Sequence, residues 1–162
     1  MKRTIWAGTA LAVSMGMLAA CGPSTSDPAQ PATPPRPPLT EAQRATALAA
    51  LPAPYSAADL ENGRVVFARC RSCHTITEGG SNMTGPNLYG VIGRVAGTHE
   101  GFNYSAPLKA AGFTWDGARI DHWLENPRTF LPGNKMSFPG LPDATDRRDV
   151  IAWLSVEAAP AP

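Results

Sequence analysis

Cys70-Arg71-Ser72-Cys73-His74 sets two thiols three positions apart, with an imidazole directly after the second. That spacing suits covalent attachment of a c-type haem. The thiols add across the two vinyl groups of one porphyrin edge, and the neighbouring imidazole takes an axial position on the iron. Two other chemistries use a CxxC pair. A redox disulfide of the thioredoxin kind needs a βαβ context, and alternating strand and helix patterns are absent here. A structural zinc takes four Cys or His ligands, whereas the only other histidines are His99 and His122 and there is no second CxxC. The chain reads as a holder for one redox-active iron, not as a catalyst in its own right.

The position opposite the imidazole decides what such an iron does. Left open, it favours ligand binding or oxygen chemistry; filled, it favours electron transfer. Beyond the N-terminal region there are two methionines, Met83 nine residues after His74 and Met136 62 residues after it. Met136 lies in the turn-rich stretch Leu131-Pro132-Gly133-Asn134-Lys135-Met136-Ser137-Phe138-Pro139-Gly140, which can present one side chain inward. Met136 is therefore the expected ligand, and Met83 is expected to fill a gap in the core. The alternative, a haem enzyme or gas-ligand sensor, requires Met136 to be displaced.

The N-terminus carries Lys2 and Arg3, then an uncharged and mostly apolar run from Ile5 to Ala20. This is the pattern of an export signal, and it is marginal as a membrane span. It ends in Leu18-Ala19-Ala20-Cys21-Gly22, which resembles a bacterial lipoprotein cleavage box. Residues 1–20 are thus expected to be a leader, with Cys21 lipidated and the protein anchored on the periplasmic side of a bacterial membrane. Gly22 in place of Asp does not signal retention at the inner membrane. The cysteine count agrees: of three cysteines, one lipid thioether and two haem thioethers leave none free.

Residues 21–54 read as the lipidated Cys followed by a Pro/Ala-rich disordered linker. Nine prolines fall between Gly22 and Pro54, with too little apolar surface to offset the entropy of ordering. Within it, Thr40 to Leu51 is Ala-rich, the pattern of a transient helix N-capped by Thr40. Residues 55–157 form one domain and 158–162 a flexible tail.

The domain reads as all-α. Ser56-Ala57-Ala58-Asp59 has capping-box spacing, and the helix after it gathers Leu60, Val66, Phe67 and Cys70 near one face. A second helix runs from Asp116 to Glu125, stopped by Pro127. Asp143 to Thr145 caps a last helix through Val156, with Val150, Ile151, Trp153 and Leu154 as its apolar residues. No segment alternates strongly enough for a sheet.

From about Leu60 to Val156 the chain is similar to class I cytochrome c of the mitochondrial and alphaproteobacterial type. The resemblance rests on Cys70 to Thr75, Thr84-Gly85-Pro86-Asn87-Leu88-Tyr89-Gly90, Gly93-Arg94, Gly101-Phe102-Asn103-Tyr104-Ser105 and Trp115. It continues through Trp123 to Pro127, Pro132 to Met136 and Asp149 to Leu154, in the family's order. It implies a small fold in which the N- and C-terminal helices pack together around one haem c bound through Cys70 and Cys73. It also implies axial ligands His74 and Met136. The Pro86 carbonyl would accept from the His74 ring, and Arg94, Tyr104 and Trp115 would donate to the propionates. Phe138 would shield the haem edge, while Gly63 and Phe67 would pack on Trp153 and Leu154. The implied role is a non-enzymatic one-electron shuttle from a bc1-type complex to a terminal cytochrome oxidase. A monomer with no nucleic-acid partner is expected.

Three residues depart from the family pattern: Trp123 where a Tyr is common near the ligand sulfur, Asn134 in place of a Thr, and Leu108 where an Asn often lies. Charge departs too. The full chain is formally +1; losing Lys2 and Arg3 leaves twelve Lys and Arg against thirteen Asp and Glu, or −1. Lys109 and Lys135 are then the only lysines, so the basic ring that steers soluble relatives is sparse. Tethering would replace it by raising effective concentration.

Overall fold

A computed structural model describes residues 37–160. The expected leader, Cys21, the first part of the linker through residue 36 and the last two residues lie outside the described residues. Helix α1 spans Glu41–Ala49 and begins with a capping box: the Thr40 hydroxyl accepts from the Gln43 amide, and the Gln43 side chain accepts from the Thr40 amide at 2.8 Å. Arg44 pairs with Glu157 near the far end of the chain, and Leu48 and Leu51 are partly buried. The second half of the expected linker therefore carries a helix packed against the domain.

Helix α2 spans Leu60–Phe67. The capping box expected at Ser56 does not form, because Tyr55–Ala57 closes into a 3-10 turn. Asp59 caps instead, its carboxylate accepting from the amides of Glu61 (2.8 Å) and Asn62 (3.0 Å). A carboxylate at the N-cap satisfies donors that the helix leaves without partners, and Asp59 stands nearer the apolar run than Ser56. Helix α3 spans Ala106–Ala110 and α4 spans Gly117–Glu125, the latter capped by Asp116 through the Arg119 amide at 2.8 Å. Pro127 ends α4 and also opens α5, Pro127–Phe130, since a missing N–H costs nothing at a first helical position. Helix α6, Ala144–Glu157, is capped by Asp143. Among the described residues the only extended pairing is a single antiparallel bridge, Val95 to Thr114. The architecture is all-α.

The core forms where α2 crosses α6. Gly63 lies at the crossing: a Cβ added there would collide with the Asp149 carbonyl and come within 2.7 Å of the Trp153 Cβ. The absent side chain allows the close approach that puts the Phe67 and Trp153 rings 4.6 Å apart. Val150, Ile151, Leu154 and Leu141 are buried around them. Asp149, also buried, locks the start of α2 to α6. It accepts from the Asp59 amide (3.1 Å) and from Asn62 Nδ2 (2.9 Å), and it pairs with Arg148 at 2.7 Å.

Arg147 does similar work on the other side of α6. Only 6% exposed, it donates to Asp121 (2.9 Å) on α4 and to the Leu141 and Pro142 carbonyls (2.8 and 2.9 Å). The bond to Asp121 raises the Arg147 pKa further above its ordinary value. One guanidinium so ties α4, α6 and the segment entering α6. Both buried charges are fully partnered, as burial demands.

Gly63→Ala should force α2 and α6 apart. Overpacking of this kind costs about 1–3 kcal/mol, equivalent to roughly 4 °C or more in the thermal midpoint of a domain this size. A melt of the haem-loaded variant followed by circular dichroism checks this.

Candidate functional site

Between the α2–α6 pair, α4 and the loops lies one large cavity of about 280 Å³. That is roughly twenty times what a single water requires, room enough for a ligand. Phe67, Leu88, Leu108, Trp115, Ile120 and Leu154 make most of its wall apolar.

Cys70, Cys73 and His74 stand at this cavity because α2 runs on into a tight turn. The Cys70 amide donates to Phe67 (2.8 Å), and the amides of Cys73 and His74 both donate to the Cys70 carbonyl at 3.0 Å. The two thiols are not joined to each other. Burial pushes the Cys70 thiol up to about 11. Among the described residues no three His, Cys, Asp or Glu gather as a metal-holding cluster.

His74 Nδ1 lies 2.7 Å from the Pro86 carbonyl. A carbonyl only accepts, so Nδ1 carries the proton and Nε2 keeps its lone pair. Burial lowers the His74 pKa, against the opposing pull of the Pro86 bond; the ring is a neutral donor. Gly85 makes room for it, since a Cβ at that position would come within 2.7 Å of the imidazole nitrogens.

Met136 lines the same cavity, beside Lys135, Ser137 and Phe138. The Arg69 guanidinium lies 6.0 Å from the centre of the Phe138 ring. Met83 does not fill the core as expected: it is 47% exposed. Its amide is held by the Gly85 carbonyl at 2.9 Å, in a surface loop that leaves the side chain no buried wall to meet.

The single β-bridge brings Arg94 and Trp115 together. The Trp115 amide donates to the Arg94 carbonyl at 2.8 Å, and the Gly93 amide donates to the Trp115 carbonyl at 2.8 Å. Arg94 donates to the carbonyls of Asn87 (2.9 Å) and Tyr89. Tyr104 sits against the same guanidinium; burial raises its pKa, which Arg94 partly offsets. Trp123 also faces the cavity and packs edge-on to Trp115 at 5.5 Å. Ser105 escaped the sequence reading. It is 5% exposed, lines the cavity, and its hydroxyl has no hydrogen-bond partner among the described residues. Its place in the Gly101-to-Ser105 block was the available signal.

These features fit a haem c: two thiols at the wall, a neutral imidazole and a thioether as nitrogen and sulfur donors, a largely apolar surface, and a buried hydroxyl awaiting a polar group from the ligand. Comparison with known proteins agrees. The family model "Cytochrome c" matches residues 60–156. This chain belongs to the cytochrome c family.

It is 44% identical over 103 residues to cytochrome c2 of Rhodomicrobium vannielii, a match covering 64% of this chain and 82% of that protein. It is 43% identical over 99 residues to a cytochrome c homolog of Bradyrhizobium diazoefficiens, covering 60% of this chain and 54% of that longer relative. The structure of cytochrome cH from Methylobacterium extorquens superposes with a TM-score of 0.58 at 40% identity, covering 61% of this chain and 99% of that one. The fold is the class I cytochrome c fold. Its cofactor is one haem c, bound covalently through Cys70 and Cys73, and its activity is electron carriage, not catalysis.

Apolar side chains lining this cavity forgo their packing contacts when nothing fills it, and a small domain has little stability to spare. Protein made without haem should therefore lose its cooperative thermal transition. A sharp melt and well-dispersed amide resonances in the apoprotein would contradict this.

Proposed function

We propose that His74 and Met136 are the axial ligands, and that the protein shuttles single electrons from a bc1-type complex to a terminal cytochrome oxidase on the periplasmic side of a bacterial membrane. Lipid on Cys21 would anchor it there. The observation that carries the ligation is the donor set: His74 Nε2 is left with its lone pair once Nδ1 donates to the Pro86 carbonyl, and among the described residues Met136 is the one methionine on the cavity wall. When bound, haem supplies reversible one-electron exchange at iron. Donating its Nδ1–H to the Pro86 carbonyl makes the imidazole a better ligand through Nε2. A soft thioether favours the reduced metal, and a six-coordinate site needs little reorganisation between oxidation states.

The remaining residues exclude water and place charge. Leu108 and Trp123, where the family more often carries Asn and Tyr, put fewer polar atoms at the wall. Arg94, Tyr104 and Trp115, joined by Ser105, form a polar group suited to compensating buried propionates. Phe138 covers the edge beside Met136. A haem enzyme or gas sensor would require Met136 to leave the iron.

Oxidised protein should show the weak thioether-to-iron charge-transfer band of His/Met haems. Met136→Ala should abolish it while Met83→Ala leaves it intact; survival of the band in Met136→Ala would refute the ligation. With Lys109 and Lys135 as the only lysines beyond Lys2, turnover by membrane-bound oxidase should fall with salt by well under the ~10-fold of strongly steered pairs. Stopped-flow oxidation across a salt series reads this directly.

A further inference from the structure

We propose that Asn134 is the positioning residue that keeps Met136 on the haem iron, a role that rests on Met136 being the ligand. Among the described residues, Lys135 to Gly140 form no backbone-to-backbone hydrogen bond, so side chains must hold the loop. The Asn134 amide does so from both ends. Its Oδ1 accepts from the Met136 amide at 2.8 Å. Its Nδ2 donates to the Pro127 carbonyl at 2.8 Å and to the Leu131 carbonyl at 2.9 Å. The orientation is forced: a backbone N–H only donates and carbonyls only accept, so a flipped amide would lose all three bonds.

Pro127 and Leu131 bracket α5, which Asn126 caps through the Thr129 amide. Asn134 thus refers the ligand's own backbone to a short, capped helix. Among the described residues the one other side-chain hydrogen bond from Lys135–Gly140 is that of Lys135, which donates to the Asn103 carbonyl at 3.1 Å from an exposed position. A threonine or serine hydroxyl could accept from the Met136 amide but donates one bond only and reaches less far. In this chain the two carbonyls and the ligand amide are spanned by one planar side chain.

The test uses haem-loaded oxidised protein titrated with imidazole, a small ligand that competes with the thioether, and follows the thioether-to-iron band. Asn134→Ala should bind imidazole about tenfold more tightly than the parent, as expected when a few hydrogen bonds holding the bound state are lost. Asn134→Ser, which keeps the acceptor for Met136, should fall between the two. The thermal midpoint is measured in parallel, because a merely structural residue would lower it without changing imidazole affinity. Unchanged affinity in both variants, with the band present in the parent, overturns the role of Asn134 alone. Absence of the band from the parent protein overturns the Met136 ligation, and this assignment with it.

Discussion

A domain of this size has to close around a space it does not fill. The cavity wall draws on α2, α3, α4, α6 and the loops between them, so nearly every element has one face committed to a group that is not part of the polypeptide. Apolar side chains facing an empty cavity lose both dispersion contacts and hydrophobic stabilisation. Covalent haem restores both. The two thioether attachments at Cys70 and Cys73 are structural as much as chemical, because they make the core's largest apolar component permanent.

The rest of the molecule can be understood as what keeps that wall in place. Gly63 lets α2 and α6 approach until Phe67 and Trp153 touch. Asp149 and Arg147 then secure α6 to the start of α2 and to α4. Those are buried charges, costly unless partnered, and each has several partners here. Where the chain has no regular structure, polar side chains take over. Asn87 shows this well: its side chain accepts from the Tyr89 amide and donates to the carbonyls of Thr77 and Gly80. That arrangement fixes the loop whose Pro86 carbonyl orients His74.

Electron transfer asks for a rigid site with little charge rearrangement, and the wall suits that demand. Phe113, Trp115, Trp123 and Phe130 form one aromatic group, with four edge-on pairs at 4.8 to 5.8 Å and Trp115 stacked on Phe130 at 6.2 Å, geometries that aromatic pairs prefer. Lysines are sparse, with Lys109 and Lys135 the only two beyond Lys2. Helix α1 adds to this chain's own character, since its Arg44–Glu157 pair fastens the segment before the domain to the end of α6.

Much of this protein was legible in its residues. The CxxCH spacing named the cofactor because thioether chemistry is local: two thiols and an imidazole within five positions need no tertiary context. Helices α2, α4 and α6 were legible for the same reason, their apolar positions and the Asp143 cap of α6 being set by near neighbours. Helices α3 and α5 are too short to show a period, and the cap of α2 fell to Asp59 when Tyr55–Ala57 turned. What only the tertiary structure decided was which distant groups meet. Met83 and Met136 are the same residue type, yet one is exposed and the other faces the cavity. Arg147, Asp149 and Ser105 look like ordinary surface residues until the fold buries them. Long-range contacts of that kind are set by packing, which no local pattern encodes.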